Sequence, residues 1–220
     1  MTARLLAALL FLCASPLSAQ APASAPVVVP AQVHTNDIGF SYNLPSDWEV
    51  VDIQSSVPAI KDKVEKEATS EGEKIGASCS QVALTARHGT PSSVVVVIVV
   101  PYSCLGQEFT AKDLPDFGAG VSEGLKSTFV ISNSVYGDYS LGSHRLWIER
   151  ASGKLRDNPD AAYTVETVCS LLKKGAVCWM VMALDSSSLH TIEQGALSLE
   201  GEAAPGLVPV NAFDKRPPVK

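Results

Sequence analysis

Positive charge is scarce in this 220-residue chain: 17 Lys and Arg stand against 23 Asp and Glu, a formal net charge of −6. A nucleic-acid binder needs a basic stripe to neutralise phosphates, so that class of function is excluded. Aromatic residues are also few, at 6%, which removes serial base stacking as a binding mode. No apolar run reaches the roughly 18 residues that a membrane-spanning helix requires, so the mature chain carries no transmembrane anchor. There is no P-loop, no G-x-G-x-x-G behind a strand and no C-x-x-C, so nucleotide, cofactor and thiol-exchange chemistry all lack their motifs.

What the sequence does have begins at its start. Arg4 precedes the apolar run from Leu5 to Cys13, Pro16 follows, and small residues cluster at Ser18, Ala19 and Ala21. A basic n-region, a short apolar core and a small-residue site make a secretory signal peptide over residues 1–19, cleaved near Ala19 to Ala21. Phe11 and Leu12 are too bulky for a lipoprotein site at Cys13. The chain is therefore expected to be periplasmic or secreted. Residues 20–35 are rich in Ala and Pro and read as a tether, and residues 201–220 as a second Pro-rich tail, leaving a domain over 36–200.

Periodicity organises that domain. Ile38, Phe40, Tyr42 and Leu44 alternate with smaller residues as a strand, and 48–53 resumes after a turn at Pro45-Ser46-Asp47. Residues 58–69 look helical, and their charge run 61–67 is a solvated face. Strands over 79–87 and 94–100 flank a turn, and the uninterrupted VVVVIVV run predicts burial on both faces. Leu114, Phe117, Val121, Leu125 and Phe129 recur at helical spacing over 113–129. Strands follow near 134–141, 144–152, 162–172 and 176–184, and Asp185 offers an N-cap for a last helix carrying Leu189 and Ile192. Mostly antiparallel pairing with separate helices defines an α+β fold with helices on both faces of the sheet.

The stretch Gly39-Phe40-Ser41-Tyr42-Asn43-Leu44-Pro45-Ser46-Asp47-Trp48 resembles the opening hairpin of PsbP-like domains. Their glycine, aromatic, apolar strand, proline, turn and tryptophan follow the same order, and the later elements are similar. The resemblance implies an α-β-α sandwich and an exported, non-enzymatic binding or assembly module. Its partner would be an envelope or extracellular protein that the residues do not identify. The helix at 58–70 and the cysteines are additions to that family pattern, and the resemblance supplies no catalytic residues.

Several residues invite chemistry. Gly120-Val121-Ser122-Glu123-Gly124 matches the G-x-S-x-G nucleophile elbow, which needs a strand before the serine and a helix after it. Here the motif falls inside a helical pattern, so an envelope serine hydrolase using Ser122 is the weaker alternative. His34, His88, His144 and His190 lie far apart with no ligand spacing, so no metal site is expected. Asp113 and Asp116 sit at a helix start, where the macrodipole favours them. Arg145, Trp147 and Glu149 share one face of a strand, either a binding face or a Trp packed under a helix with Arg at its rim. A small apolar ligand carrier is a further alternative and would need a deep apolar pocket.

Cys79, Cys104, Cys169 and Cys178 remain after the signal peptide. An even count in an exported chain predicts two disulfides. Folding the first strand pair about Pro91-Ser92 puts Cys79 opposite Cys104, with Ala83 facing Val100. Folding the last pair about Lys173-Lys174 puts Cys169 opposite Cys178. Facing residues in antiparallel strands lie within disulfide reach, so these two pairs are expected.

Overall fold

In a computed structural model of the chain, the structure describes residues 33–35, 37–53, 71–90, 92–126 and 128–204, with single residues 58, 62, 206 and 208. The expected signal peptide lies outside the described residues, as do most of the expected helix at 58–69, of the first tether and of the C-terminal tail. The strands are β1 (Val33–Thr35), β2 (Phe40–Asn43), β3 (Glu49–Val50), β4 (Gln81–His88), β5 (Ser93–Pro101), β6 (Phe129–Leu141), β7 (His144–Leu155), β8 (Ala162–Leu172), β9 (Gly175–Ala183), β10 (Leu197–Leu199) and β11 (Glu202–Ala204). The helices are α1 (Glu71–Cys79), α2 (Tyr102–Leu105), α3 (Leu114–Leu125) and α4 (Ser186–Glu193).

Seven strands form one antiparallel sheet in the order β3-β4-β5-β9-β8-β7-β6, and β1-β2-β10-β11 form a smaller one. The fold is α+β, dominated by sheet. Its centre is β5 and β9, where alternate residues feed two cores. Val94, Val96, Ile98 and Val100 pack on one face beneath Leu114, Phe117, Val121 and Leu125 of α3. Val95, Val97 and Val99 pack on the other against Phe40, Tyr42, Trp48, Leu189 and Ile192. Both faces are covered, which is why the apolar run shows no alternation. Each large side chain so buried stabilises the fold by about 1.5–3 kcal/mol. The second face carries α4 together with the small sheet, so strands as well as a helix cover it.

Several boundaries differ from the sequence expectation. The segment before β4 is helical through Cys79, and Ser80 closes α1 by bonding its N–H (3.1 Å) and hydroxyl (2.8 Å) to Gly76 O. At the other end, α3 stops at Leu125 and not at 129, because the Arg156 guanidinium takes the Lys126 carbonyl through Nε (3.0 Å) and Nη2 (2.8 Å). Phe129 then opens β6, still buried, so the helical spacing carried across the boundary. The presumed first hairpin is not one: β2 joins the small sheet while β3 pairs with β4 at the edge of the large sheet. Between them the Trp48 N–H bonds Pro45 O at 3.1 Å and the indole drops into the second core.

Order also extends past both expected bounds. Residues 33–35, assigned to the tether, pair with β2. Residues 202–204, assigned to the tail, pair with β10. Glu202 then straps this hairpin to the β6–β7 turn, accepting from the Ser143 N–H at 3.0 Å and from its hydroxyl.

Candidate functional site

The four cysteines stand as two close pairs at disulfide distance. Cys169 and Cys178 face each other across β8 and β9, Cα–Cα 4.1 Å, in the register expected from the turn at 173–174. Cys79 and Cys104 are also paired, Cα–Cα 5.5 Å, but the register argument for them fails. Ala83 falls in a bulge between Val82 and Leu84, and Val100 faces Ala176 on β9. Cys79 ends α1 and Cys104 lies in α2, so two helices, not two strands, bring the sulfurs together. Such pairs suit an oxidising compartment.

Ser122 sits inside the unbroken helix α3, with no strand leading into it. Its hydroxyl is buried without a hydrogen-bond partner among the described residues. Its surroundings include Lys126, Ile131, Glu149, Val165 and Thr167, and no imidazole. The elbow geometry that would strain and activate a serine is therefore missing.

On the strand face of Arg145, Trp147 and Glu149 the indole is packed inward. Trp147 is buried in the first core, where a β-carbon on Gly118 of α3 would come within 2.2 Å of its ring. Arg145 lies exposed at the rim, its Nη2 2.7 Å from Asp138 and its Nη1 3.3 Å from Ala111 O. Glu149 is half-buried. With the indole covered by α3, these residues form no tryptophan-centred docking face.

The imidazoles are dispersed. His88 stacks on Trp48 at 5.6 Å, faces Asp47 at 3.3 Å, and contacts the Ser188 hydroxyl at 3.2 Å. His144 lies 3.7 Å from Glu202, His190 is in the last turn of α4, and the His34 side chain is outside the described residues. Among the described residues no three His, Cys, Asp or Glu side chains stand close enough to hold a metal ion. Asp113 precedes α3 and Asp116 lies in its first turn. The Thr110 hydroxyl and N–H both donate to Asp113 at 2.7 Å and hold its carboxyl below the ordinary carboxylate value. Burial pushes the Tyr42 hydroxyl well above its ordinary range, while its O–H donates to Ile192 O at 2.8 Å, a structural tie.

A cleft of about 550 Å³ opens beside the Cys104 end of the first pair, lined by Asp37, Ile38, Gln81, Ser103 and Lys174 among others. Asp37, Gln81 and Lys174 put polar and charged groups on its walls, unlike the deep apolar pocket a small apolar ligand carrier needs.

Two features escaped the sequence reading. Arg150 on β7 is inserted between two carboxylates, Glu166 on β8 at 2.8 Å through Nε and Glu193 on α4 through Nη2. All three are largely buried. The signal for this cluster was Glu166, a lone acid inside an otherwise buried strand. The second feature is β6. It is the outermost strand of the large sheet, 13 residues long, and among the described residues no strand pairs with its outer side. Val130 (53%), Val135 (57%) and Tyr136 (69%) are exposed there, and among the described residues the other exposed large apolar side chains are Val50 and Ile75. A bulge between Ser132 and Val135, with Asn133 at φ +52°, interrupts the strand. Across it the alternation inverts: Phe129 and Ile131 face the first core, Tyr139 and Leu141 the second.

No helix among the described residues is long and apolar enough to cross a membrane. No protein-family profile and no curated protein matches the chain. Among solved structures, the chain is similar to the solution structure of cyanobacterial PsbP (CyanoP) from Synechocystis sp. PCC 6803. The match has 15% identity and a TM-score of 0.37, and covers 78% of this chain and 91% of that one.

Proposed function

We propose that the protein is an exported PsbP-like module of α-β-α sandwich type that works by holding a partner, not by turning over a substrate. The observation that carries this reading is the concentration of exposed apolar side chains on the outer strand β6. Surface apolar residues gathered on one element mark interaction sites, whereas scattered ones do not. An unpaired sheet edge adds a row of backbone donors and acceptors that an extended segment satisfies. The sequence supports export through the leader at residues 1–19, and paired cysteines fit the compartment it leads to.

Two measurements test the reading. Intact mass of the protein recovered outside the cytosol is expected to show loss of the chain up to Ala19 or Ala21, and full-length protein confined to the cytosol would contradict export. A fluorophosphonate probe is expected to leave the protein unlabelled. Labelling that disappears in Ser122→Ala would overturn the non-catalytic reading.

A further inference from the structure

We propose that β6 pairs antiparallel with β6 of a second copy, joining two seven-stranded sheets into one continuous sheet across a two-fold axis. This deepens the binding reading above and rests on it, since it names the occupant of the same edge.

The choice of occupant follows from the strand itself. Antiparallel pairing is symmetric, so an edge that can accept an antiparallel strand can accept its own copy about a two-fold axis. Natural sheets block this with lysine, proline, short edge strands or bulges. The opposite edge of this sheet is blocked by length, because β3 has two residues. β6 has 13 residues, no lysine and no proline. Its bulge guards only the first part. From Val135 to Leu141 the register against β7 runs without a break, leaving a regular edge for a second strand.

Charge favours a copy over a foreign basic or acidic segment. Asp138 is the only charged residue on β6, and Arg145 of β7 already pairs with it at 2.7 Å. Two copies therefore meet along a neutral seam, with no unpaired strand charge to repel a second β6 or recruit a counter-charged peptide. Tyr136, the most exposed large apolar residue among the described residues, lies beside that seam and loses water when a second strand docks.

Sedimentation velocity on the full mature chain, from low micromolar to about 200 µM, covers the range in which micromolar self-association appears. A reversible monomer–dimer equilibrium is expected. Tyr136→Lys adds the usual edge guard and faces Glu149 across the strand pair, so it leaves the fold intact and weakens dimerisation by about tenfold or more. Ser140→Glu, exposed within the unbroken stretch and opposite Arg145, is a second variant, and unchanged melting temperatures certify both. A wild type that stays monomeric throughout overturns the proposal, as does a dimer indifferent to both substitutions. If the wild type is monomeric yet Tyr136→Lys abolishes capture of another protein, self-pairing falls while the edge stands as the binding surface.

Discussion

The indole of Trp147 occupies the space in which a side chain on Gly118 would have to stand, with ring atoms 2.2 and 2.3 Å from an ideal β-carbon there. This contact sets how closely α3 approaches β7. It also explains why a glycine, poor in a helix interior, is found in the middle of α3.

Gly118→Ala is accordingly expected to destabilise the fold by about 1–3 kcal/mol, although alanine is the better helix former. A rigid buried ring has no room to retreat, so overpacking outweighs propensity. Urea denaturation measures the difference, and an unchanged or raised midpoint would show that α3 moves freely on the sheet.

The Arg150 cluster makes the opposite kind of prediction. Removing the cation in Arg150→Met leaves Glu166 and Glu193 buried side by side, at a cost of about 3–5 kcal/mol. Adding Glu166→Gln and Glu193→Gln to that variant replaces both carboxylates with neutral amides and is expected to restore much of the loss. A mild effect of Arg150→Met alone would mean that water reaches the site.

The cysteine pairs give a third. Non-reducing peptide mapping is expected to find Cys79 linked to Cys104 and Cys169 linked to Cys178. A peptide joining Cys79 to Cys169 or Cys178 would contradict the fold. Chain-entropy arithmetic gives about 3.5 kcal/mol for closing the longer loop and about 2.6 kcal/mol for the shorter. Cys104→Ser is therefore expected to lower the urea midpoint at least as much as Cys178→Ser.

The strands from β6 to β9, the β8–β9 hairpin and the cap at Asp185 were legible because each leaves a local mark. Alternation, two-residue turns such as Lys173-Lys174, and an aspartate before a serine run are all short-range signals. Cys169 and Cys178 belong to that class, because one hairpin register decides them. Cys79 and Cys104 do not: facing strands would pair them, yet two short helices hold them. The departure of β2 and β3 to different sheets was hidden, since strand alternation says which face is buried and not which strand is the neighbour. Trp147 could be placed on a face but not on its side of the exposure question, which Gly118 settles from 29 positions away in sequence. The apolar edge of β6 was invisible because exposure of Val135 and Tyr136 follows from the strand's position at the end of the sheet.

A fourth prediction concerns acid. The backbone N–H and hydroxyl of Ser188 both donate to Asp185, at 2.7 and 2.8 Å, and hold its carboxyl below the ordinary value. A depressed folded-state pKa contributes stability that is present above the unfolded value, near 4, and is lost as pH falls through the lower folded one. Asp185→Ala is expected to cost about 1 kcal/mol at neutral pH, as loss of an N-cap does. The gap between wild type and variant should close as the pH is taken well below about 4. A gap that stays constant into that range would show that the carboxylate is not what caps α4.

The central claim is that the outer edge of β6 is where the protein binds, and capture from its native compartment tests it most directly. Tagged wild type, Tyr136→Lys and, as a control for added charge, Ala119→Lys on the exposed side of α3 would be compared by quantitative mass spectrometry. The account predicts that wild type and Ala119→Lys retain the same protein, whether a second copy or another chain, and that Tyr136→Lys loses it. Equal retention by all three, or loss in Ala119→Lys alone, would contradict it.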